Sequence, residues 1–500
     1  MLSDQIKTKC SLPYSLYCGQ QIKDFEGEAA AIAGITLYSL MERAGQACYD
    51  VFSSHFPDAR QVLVLSGKGN NGGDGYIFAA LAKNAGLSVQ LCQIGSPDDL
   101  SGDALQACNG WRAKQGVIEG IEQADFERAD VIVDALLGTG FCGTLRPEYQ
   151  RLIYKINQTS KAVLSVDLPS GINADTGAIS DVAVKADATI TFVGLKQGLF
   201  TGRAIDHCGQ IYFSGLGITK QFESLCPSTV TRITYQDLCA LLPPRRRTSH
   251  KGSFGNTLIL GGNMGMSGAV RLAGEAALRS GSGLVKILTR QENLLAVMAG
   301  RPELMAAGFD LLKVDDSAIR DWATTLVIGP GLGKDDWAKM LLEFILASDL
   351  PTVVDADGLN LLVDKPAWKD TWVLTPHPGE AAHLLGCSIS EVEENRFTAV
   401  RNLQHNFGGV VILKGAGTLI CDGKKIYLAN VGNPGMASGG MGDVLSGIIG
   451  GLLAQGLNLQ QAATLAVCIH GQAADLAAQQ DERGLLASDL FPYIRKLVNP

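Results

Sequence analysis

The stretch Asn433–Asp443 reads Asn-Pro-Gly-Met-Ala-Ser-Gly-Gly-Met-Gly-Asp, and an apolar run, Val444–Ala454, follows it directly. Four glycines in eleven residues let the backbone turn and bring its N–H groups close to a ligand. The apolar run reads as a helix whose positive N-terminus points into that turn, an arrangement that receives anions, phosphate above all. Asp443 stands at the junction, where a carboxylate either caps the helix or takes a proton from a substrate. One such turn is weak evidence for phosphate chemistry; its neighbours decide.

Upstream, short strands alternate with helices and end in glycine or polar residues. Asn256–Leu260 feeds Gly261–Gly268 and a helix over Ala269–Arg279. Leu284–Leu288 follows, then Thr325–Ile328, Pro351–Val354, Trp372–Leu374 and Val410–Leu413. The last four run into Gly329–Gly333, Asp355–Asn360, Thr375–Glu380 and Lys414–Thr418. This alternation predicts a parallel α/β domain with its ligands at the carboxyl ends of the strands. A helix over Gln460–Gln480 covers the sheet, and His470 within it reads as a packed histidine. Lys414 brings charge and Gly415, Ala416, Gly417 and Thr418 bring backbone donors, a set suited to nucleotide phosphates, although a lone lysine there is also a solvated strand end. Glu380 can bind magnesium through water, because that ion keeps several waters and takes few carboxylates. Asp443 can deprotonate a hydroxyl that attacks a terminal phosphoryl group, while the turn amides stabilise the charge that builds there.

Thr219–Arg247 breaks the pattern. It carries Pro227, Pro243, Pro244, the run Arg245–Arg247 and one short helical pattern. The boundary therefore falls near Pro227, giving domains 1–226 and 227–500, and the arginine run reads as a solvated linker.

The first half repeats the design. Val62–Leu65, Val89–Ile94, Val131–Leu137, Ala162–Val166 and Thr189–Val193 are strand-like, with helices over Tyr76–Ala85 and Asp103–Gln115 and a helical pair across Glu28–Asp50. A doubly wound parallel sheet follows. Gly67-Lys-Gly-Asn-Asn-Gly-Gly-Asp-Gly75 leaves the first strand; its Asn70, Asn71, Gly72, Gly73 and Asp74 offer amides, carbonyls and a carboxylate to a phosphate-bearing ligand or a hard cation. It is neither a Gly-x-Gly-x-x-Gly fingerprint nor a P-loop. Asp134 leads into the glycine loop Gly138-Thr139-Gly140-Phe141-Cys142-Gly143-Thr144, Asp167 and Ser170 close another strand, and Lys196 lies just past a fourth. Asp167 and Lys196 are candidates for proton transfer if the fold brings them together.

At 500 residues the chain is long enough for two domains, and 46% hydrophobic with 6% aromatic residues suits a soluble α/β protein. A formal net charge of −8 argues against general nucleic-acid binding. The 12 cysteines include no Cys-x-x-Cys, so neither a zinc site nor a disulfide framework is indicated, and Cys92 and Cys468 read as small buried hydrophobes. Met1–Cys10 is polar, and no stretch is apolar enough to span a bilayer, so a reducing cytoplasm is the expected home.

These residues resemble two known families. The Gly69–Gly75 loop, Asp134-Ala-Leu-Leu-Gly-Thr-Gly140, Val166-Asp-Leu-Pro-Ser-Gly171 and Thr191-Phe-Val-Gly-Leu-Lys-Gln-Gly198 resemble the NAD(P)H-hydrate epimerase domain. The resemblance implies a potassium ion on Asn71, Asp134 and Ser170, substrate phosphates on Asn70–Asp74 and Gly138–Thr144, and a substrate contact at Asp167. The second half resembles the ribokinase-like superfamily, whose anion hole matches Gly440-Met-Gly-Asp443, and more closely the ADP- or ATP-dependent NAD(P)H-hydrate dehydratase. That implies Ala269, Gly331, His377 and Asp443 on the hydrated nicotinamide nucleotide, and Lys414–Thr418 with Gly442 on the adenine nucleotide. His377-Pro-Gly-Glu380 stands where many superfamily kinases have Asn-x-x-Glu, which fits the dehydratase and would be odd for a sugar kinase.

The expectation is therefore two three-layer α/β domains, N-terminal Rossmann-like and C-terminal ribokinase-like. Their substrates would be NADHX and NADPHX with ADP or ATP, with K+ and Mg2+ as cofactors and homo-oligomeric assembly. The second half as a vitamin or sugar kinase, and the first as a non-catalytic module binding a nucleotide, RNA or a protein, stay open alternatives.

Overall fold

The short apolar runs of the first half form β1 (Ile6–Thr8), β2 (Ser15–Tyr17), β3 (Gln61–Ser66), β4 (Ser88–Gln93), β5 (Glu119–Gly120), β6 (Val131–Ala135), β7 (Ala162–Val166), β8 (Ala188–Phe192), β9 (Leu195–Lys196) and β10 (Gln210–Ser214). The computed structural model describes residues 6–8, 11–309, 321–479 and 481–500, which fall into two units, Met1–Thr231 and Arg232–Pro500. In the first, eight strands lie in the order β1-β10-β8-β7-β6-β3-β4-β5. All neighbours are parallel except β1 against β10. The chain starts the parallel sheet at β3, builds out to β4 and β5, then returns to build through β6, β7 and β8 on the other side. That reversal is the Rossmann-like order, and it opens a crevice between the loops that follow β3 and β6.

Two local expectations change here. The helical pair is Gly19–Ile32 and Leu37–His55, starting nine residues before Glu28. The helix expected from Tyr76 begins at Asn70, so Asn70–Asp74 is its first turn and not a loop. Three glycines in a helix oppose its intrinsic propensity, but packing overrides that cost. A Cβ on Gly73 would lie 2.6 Å from Met41 and one on Gly75 2.7 Å from Ala135. The glycines let this helix settle against its neighbours.

In the second unit, the strands are β12 (Asn256–Leu260), β13 (Leu284–Thr289), β14 (Met305–Gly308), β15 (Thr325–Ile328), β16 (Thr352–Val354), β17 (Trp372–Leu374), β18 (Val410–Leu413), β19 (Thr418–Cys421) and β20 (Ile426–Ala429). They lie in the order β14-β13-β12-β15-β16-β17-β18-β19-β20. The sheet is parallel through β18, and β19 and β20 then pair antiparallel. Lys414–Gly417 is thus the tight connection of a hairpin, where a wholly parallel sheet was expected. The helix Met441–Ala454 is buried at every residue except Gly442 and Asp443. A helix apolar all round belongs inside. Cβ atoms on Gly447 and Gly450 would sit 2.7 Å from Ala276 and 2.6 Å from Val327, so the helix lies close against both the helix Ser267–Ser280 and the sheet.

The expected linker is also more ordered than its prolines suggest. Thr219–Leu225 and Tyr235–Leu238 are helical, and Val230–Ile233 forms β11. Arg245 donates to the Gln455 side chain at 2.9 Å and stacks over Phe254 at 3.5 Å, while Arg245–Arg247 all stay exposed, as the solvated reading expects. The covering helix runs Leu459–Ala477; Gln480 and most of Met1–Cys10 lie outside the described residues. Cys92 and Cys468 are buried and free, and no described helix is long and apolar enough to cross a membrane.

Candidate active sites

In the first unit, the strand ends deliver one charge cluster. Asp167 follows β7 in the left-handed region (φ 66°), uncommon for a residue with a Cβ and found where function holds the backbone. Lys196, 1% exposed at the end of β9, donates to Asp167 Oδ1 at 2.5 Å and to the Phe192 carbonyl at 2.9 Å. Thr191 donates to the same carboxylate oxygen at 3.3 Å, and Oδ2 accepts from the Thr139 amide at 3.0 Å and from its hydroxyl. Burial alone would raise this carboxyl; the Lys196 charge and these donors outweigh it and hold it below the usual carboxylate range.

Around the pair stand two carboxyls of opposite tendency. Asp74, in the first turn of the helix Asn70–Asn84, is pushed well up by burial and by the charges of Asp167 and Glu26. Glu26, on the helix Gly19–Ile32, is also raised, by burial first and then by Asp167. Glu26 and Thr191 carried no role in the sequence. Thr191 lay inside a quoted motif, while Glu26 arrives from an upstream helix with no local signal.

Asp134 at the end of β6 is buried and accepts four donors, Ser170 Oγ at 2.6 Å, Ser170 N at 2.9 Å, Ser165 Oγ at 2.9 Å and Leu136 N at 3.3 Å. Ser170 Oγ also accepts from the Leu137 amide at 2.9 Å. Beside Leu137, a Cβ on Gly138 would lie 3.1 Å from the Asn71 side chain and 3.2 Å from Asp167 Oδ2. Asn71 keeps both amide atoms buried without a hydrogen-bond partner. A buried carbonyl left so is costly, and a hard cation would satisfy it. The remaining loop residues differ in character: Gly138 is half-buried at this cluster, Phe141 packs on the apolar core, and Gly140, Cys142, Gly143 and Thr144 are exposed.

The second unit builds its cluster on Asp355, which follows β16 and is 1% exposed. Asp355 accepts from Ser446 Oγ at 2.6 Å, Thr375 Oγ1 at 2.7 Å and Lys414 Nζ at 3.2 Å. Burial would raise it; Lys414 and the hydroxyls hold it low. Lys414 also stands 3.7 Å from Glu380. Burial would lower the lysine, and the Asp355 and Glu380 charges raise it instead. Ser446 ties this pair to the helix Met441–Ala454, whose N-cap Gly440 adopts φ 91°. Its first-turn amides have no intrahelical acceptor. Asp443 lies in that turn. Burial, then the Asp355 charge, pushes its carboxyl up to about 7 against the pull of Lys414. Asp355 closed a quoted strand end, but it had no assigned role; only the fold shows that it faces Lys414.

His377 caps the helix Pro378–Leu385 with an unusual donor pattern. Its Nδ1 accepts from the Gly379 amide at 3.0 Å and the Glu380 amide at 3.3 Å, which places the neutral ring's proton on Nε2. Glu380 Oε2 accepts the His377 amide at 2.8 Å, leaving Oε1 with His377 Nε2 at 3.5 Å. One carboxylate oxygen with no close donor is what a water-clad magnesium ion needs. Gly331 and Ala269 adjoin, since a Cβ on Gly331 would lie 3.2 Å from that of Ala269. Gly415 packs its backbone against the buried guanidinium of Arg396, which donates to the Lys414 carbonyl at 3.1 Å. His470 is buried, and burial together with the Lys414 charge pushes its imidazole down to about 4, consistent with a packed histidine.

Fold and sites together define a two-unit α/β enzyme whose second unit is ribokinase-like. A family described as NAD(P)H-hydrate dehydratase matches residues 257–496, and one described as YjeF-related protein N-terminus matches residues 37–198. The bifunctional NAD(P)H-hydrate repair enzyme Nnr of Coxiella burnetii is 48% identical over 488 residues, covering 97% of this chain and 99% of its own. Its namesake in Escherichia coli is 45% identical over 99% of this chain and 96% of its own. A ribokinase-like superfamily protein of Enterococcus faecalis superposes with a TM-score of 0.50 at 29% identity, over 54% of this chain and 98% of that one. The chain belongs to the family of bifunctional NAD(P)H-hydrate repair enzymes. The vitamin- or sugar-kinase alternative gives way to that assignment.

Proposed function

We propose that the chain repairs hydrated nicotinamide nucleotides, the first unit interconverting the epimers of NAD(P)HX and the second dehydrating the S epimer at the expense of ADP or ATP. The dehydratase assignment rests on the family match over residues 257–496. Within that unit the candidate base is Asp443, in the first turn of the helix Met441–Ala454, where burial, then the Asp355 charge, pushes its carboxyl up to about 7. A base with a pKa near the working pH combines the right protonation state with enough basicity.

In the first step, Asp443 takes the proton of the ring hydroxyl as its oxygen bonds to the terminal phosphorus and the bond to the departing nucleotide breaks. Amides of the Gly440–Asp443 turn and the Lys414 charge receive the negative charge that develops. The ring C–O bond then breaks, phosphate leaves with the electron pair, and the adjacent ring carbon loses a proton to restore the double bond. Phosphate departs where hydroxide would not. Lys414, Gly415, Ala416, Gly417, Thr418 and Gly442 hold the nucleotide, and Ala269, Gly331 and His377 hold the hydrate. Magnesium, carried through water by Glu380, would neutralise phosphate charge when bound.

In the first unit, Lys196 gives a proton and Asp167 takes one, and the proton then passes from Asp167 to Lys196 along their hydrogen bond, which returns the pair to its starting state. Asn70–Asp74 and Gly138–Thr144 hold the substrate's phosphates. Potassium on Asn71, Asp134 and Ser170 would supply a fixed positive charge there. The test is recovery of reduced-nicotinamide absorbance from mixed NADHX epimers with magnesium, potassium and ADP or ATP. Full recovery, faster than spontaneous epimerisation, supports both activities. Recovery of one epimer only would remove the first unit's activity, and no recovery would remove the second unit's.

A further inference from the structure

Away from both clusters, the second unit contains a cavity of about 460 Å3 lined by Glu275, Arg279, Arg301, Arg495, Ser488 and Phe491. None of these residues belongs to the sites described above. Glu275 is the organiser. Its side chain is 8% exposed, and its Oε1 receives Arg301 at 2.5 Å and Arg279 at 3.3 Å. Two guanidinium charges on one carboxylate leave a positive charge in excess. Arg495 adds a second, and its guanidinium makes no hydrogen bond or ion pair among the described residues. Arg301 Nε is buried without a hydrogen-bond partner, a donor whose desolvation is uncompensated.

So dense a positive site is not a by-product of composition, because the chain carries a formal charge of −8. Nor does folding need it, since like charges converging on a half-open cavity repel. Guanidinium forks match phosphate oxygens bidentately. A cavity of this size falls within the range of small-molecule sites, about 300–1,000 Å3. Phe491 supplies an apolar wall against which a sugar or base can lie. We propose that this cavity binds a phosphate-bearing anion at a site distinct from the anion-binding turn of Gly440–Asp443, with Arg279, Arg301 and Arg495 as the phosphate ligands and Glu275 holding two of them in place.

The chemistry admits free orthophosphate or the phosphate of a mononucleotide, and the test separates them. Orthophosphate and AMP would each be titrated calorimetrically into the full chain, wild type against Arg495→Gln and Arg495→Glu. Arg495 is exposed near the C-terminus, so both variants should fold, with equal melting temperatures in phosphate-free buffer as the check and unchanged ADP-driven dehydration as the control for the active site. The expected result is one binding site fewer in the variants, or its affinity lowered by about tenfold or more, as loss of a charged hydrogen bond implies. An Arg495-dependent site for orthophosphate as strong as for AMP would identify the free ion; dependence seen with AMP alone would identify a phosphate ester. Identical isotherms for wild type and both variants with both probes would overturn the proposal.

Discussion

Both units carry an Asp–Lys pair on a buried aspartate where a strand meets its loop, and the two pairs do opposite things to their surroundings. Asp167 takes all its donors for itself, from Lys196, Thr139 and Thr191, and sits at the centre of its site with a depressed pKa. Asp355 is also well satisfied, and burial first, then its negative charge, raises the Asp443 carboxyl. On the roles proposed above, the same pair of residue types serves as the reacting group in one unit and, together with burial, tunes a reacting group in the other. A carboxylate rich in donors is kept charged, while one facing another carboxylate is kept near neutrality. Sequence position alone does not tell the two cases apart.

The largest effect expected from breaking this contrast is on dehydration. Asp443→Asn removes the base without changing shape, and the rate should fall by about 10²–10⁴, the usual contribution of a positioned general base. Epimerisation in the same protein should stay within twofold of wild type. Stopped assays with each purified epimer read the two separately, and near-normal dehydration would take Asp443 out of the base role. Asp167→Asn should invert the pattern, with epimerisation reduced by a similar factor and dehydration kept. It should also destabilise its unit by about 3–5 kcal/mol, because Lys196 is left buried without its counter-charge. Chemical denaturation of wild type and variant checks the stability arm. Asp167→Asn with unchanged epimerisation would end the proton-transfer assignment.

Much of this was legible in the residues because both sheets obey local rules. Short β-branched runs ending in glycine located most of the strands, and the glycines of Asn433–Asp443 placed a helix start at the end of that turn, where the helix Met441–Ala454 begins. What escaped is of two kinds. The first is long-range: Glu26 reaches the first site from a helix more than a hundred residues before Asp167, and Asp355 meets Lys414 across 59 residues. The second is a double use of one signal. Glycines in Asn70–Gly75 read as a ligand loop, yet those at 73 and 75 are where the helix touches Met41 and Ala135. Close approach to a ligand and close approach to a neighbouring helix demand the same absent side chain. The antiparallel β19 and β20 were missed for a related reason, since a hairpin after β18 looks locally like one more strand end.

A smaller effect lies in the pH profiles. Dehydration should lose activity below about 7 as Asp443 takes up its proton, whereas epimerisation should persist to lower pH because Asp167 is held below the usual carboxylate range. At saturating nucleotide, Lys414→Met removes the charge that lowers Asp443, so the acid limb of kcat should move upward. Coincident limbs for the two activities in the wild type would mean that the two carboxylates are not tuned apart.

The smallest expected effect is the sharpest discriminator, because a single type of substitution should act with opposite signs in the two units. Between the ordinary value of 3.8 and about 7, folded Asp443 holds a proton that the unfolded chain has released. The folded state then binds more protons, so stability falls as pH rises through that window and stays lower above it. Asn at 443 cannot ionise and escapes this loss. Asp443→Asn should therefore melt with wild type near pH 4 and above it at pH 8, by roughly 2–4 °C for each kcal/mol recovered. At the same pH, Asp167→Asn should melt lower, since there the lost charge was the one neutralising Lys196. Calorimetric melting of both variants across that range separates a carboxylate whose charge the fold opposes from one whose charge the fold requires. If both variants shift in the same direction at pH 8, the two carboxylates share one environment, and the assignment of Asp443 as the poised base loses its physical ground.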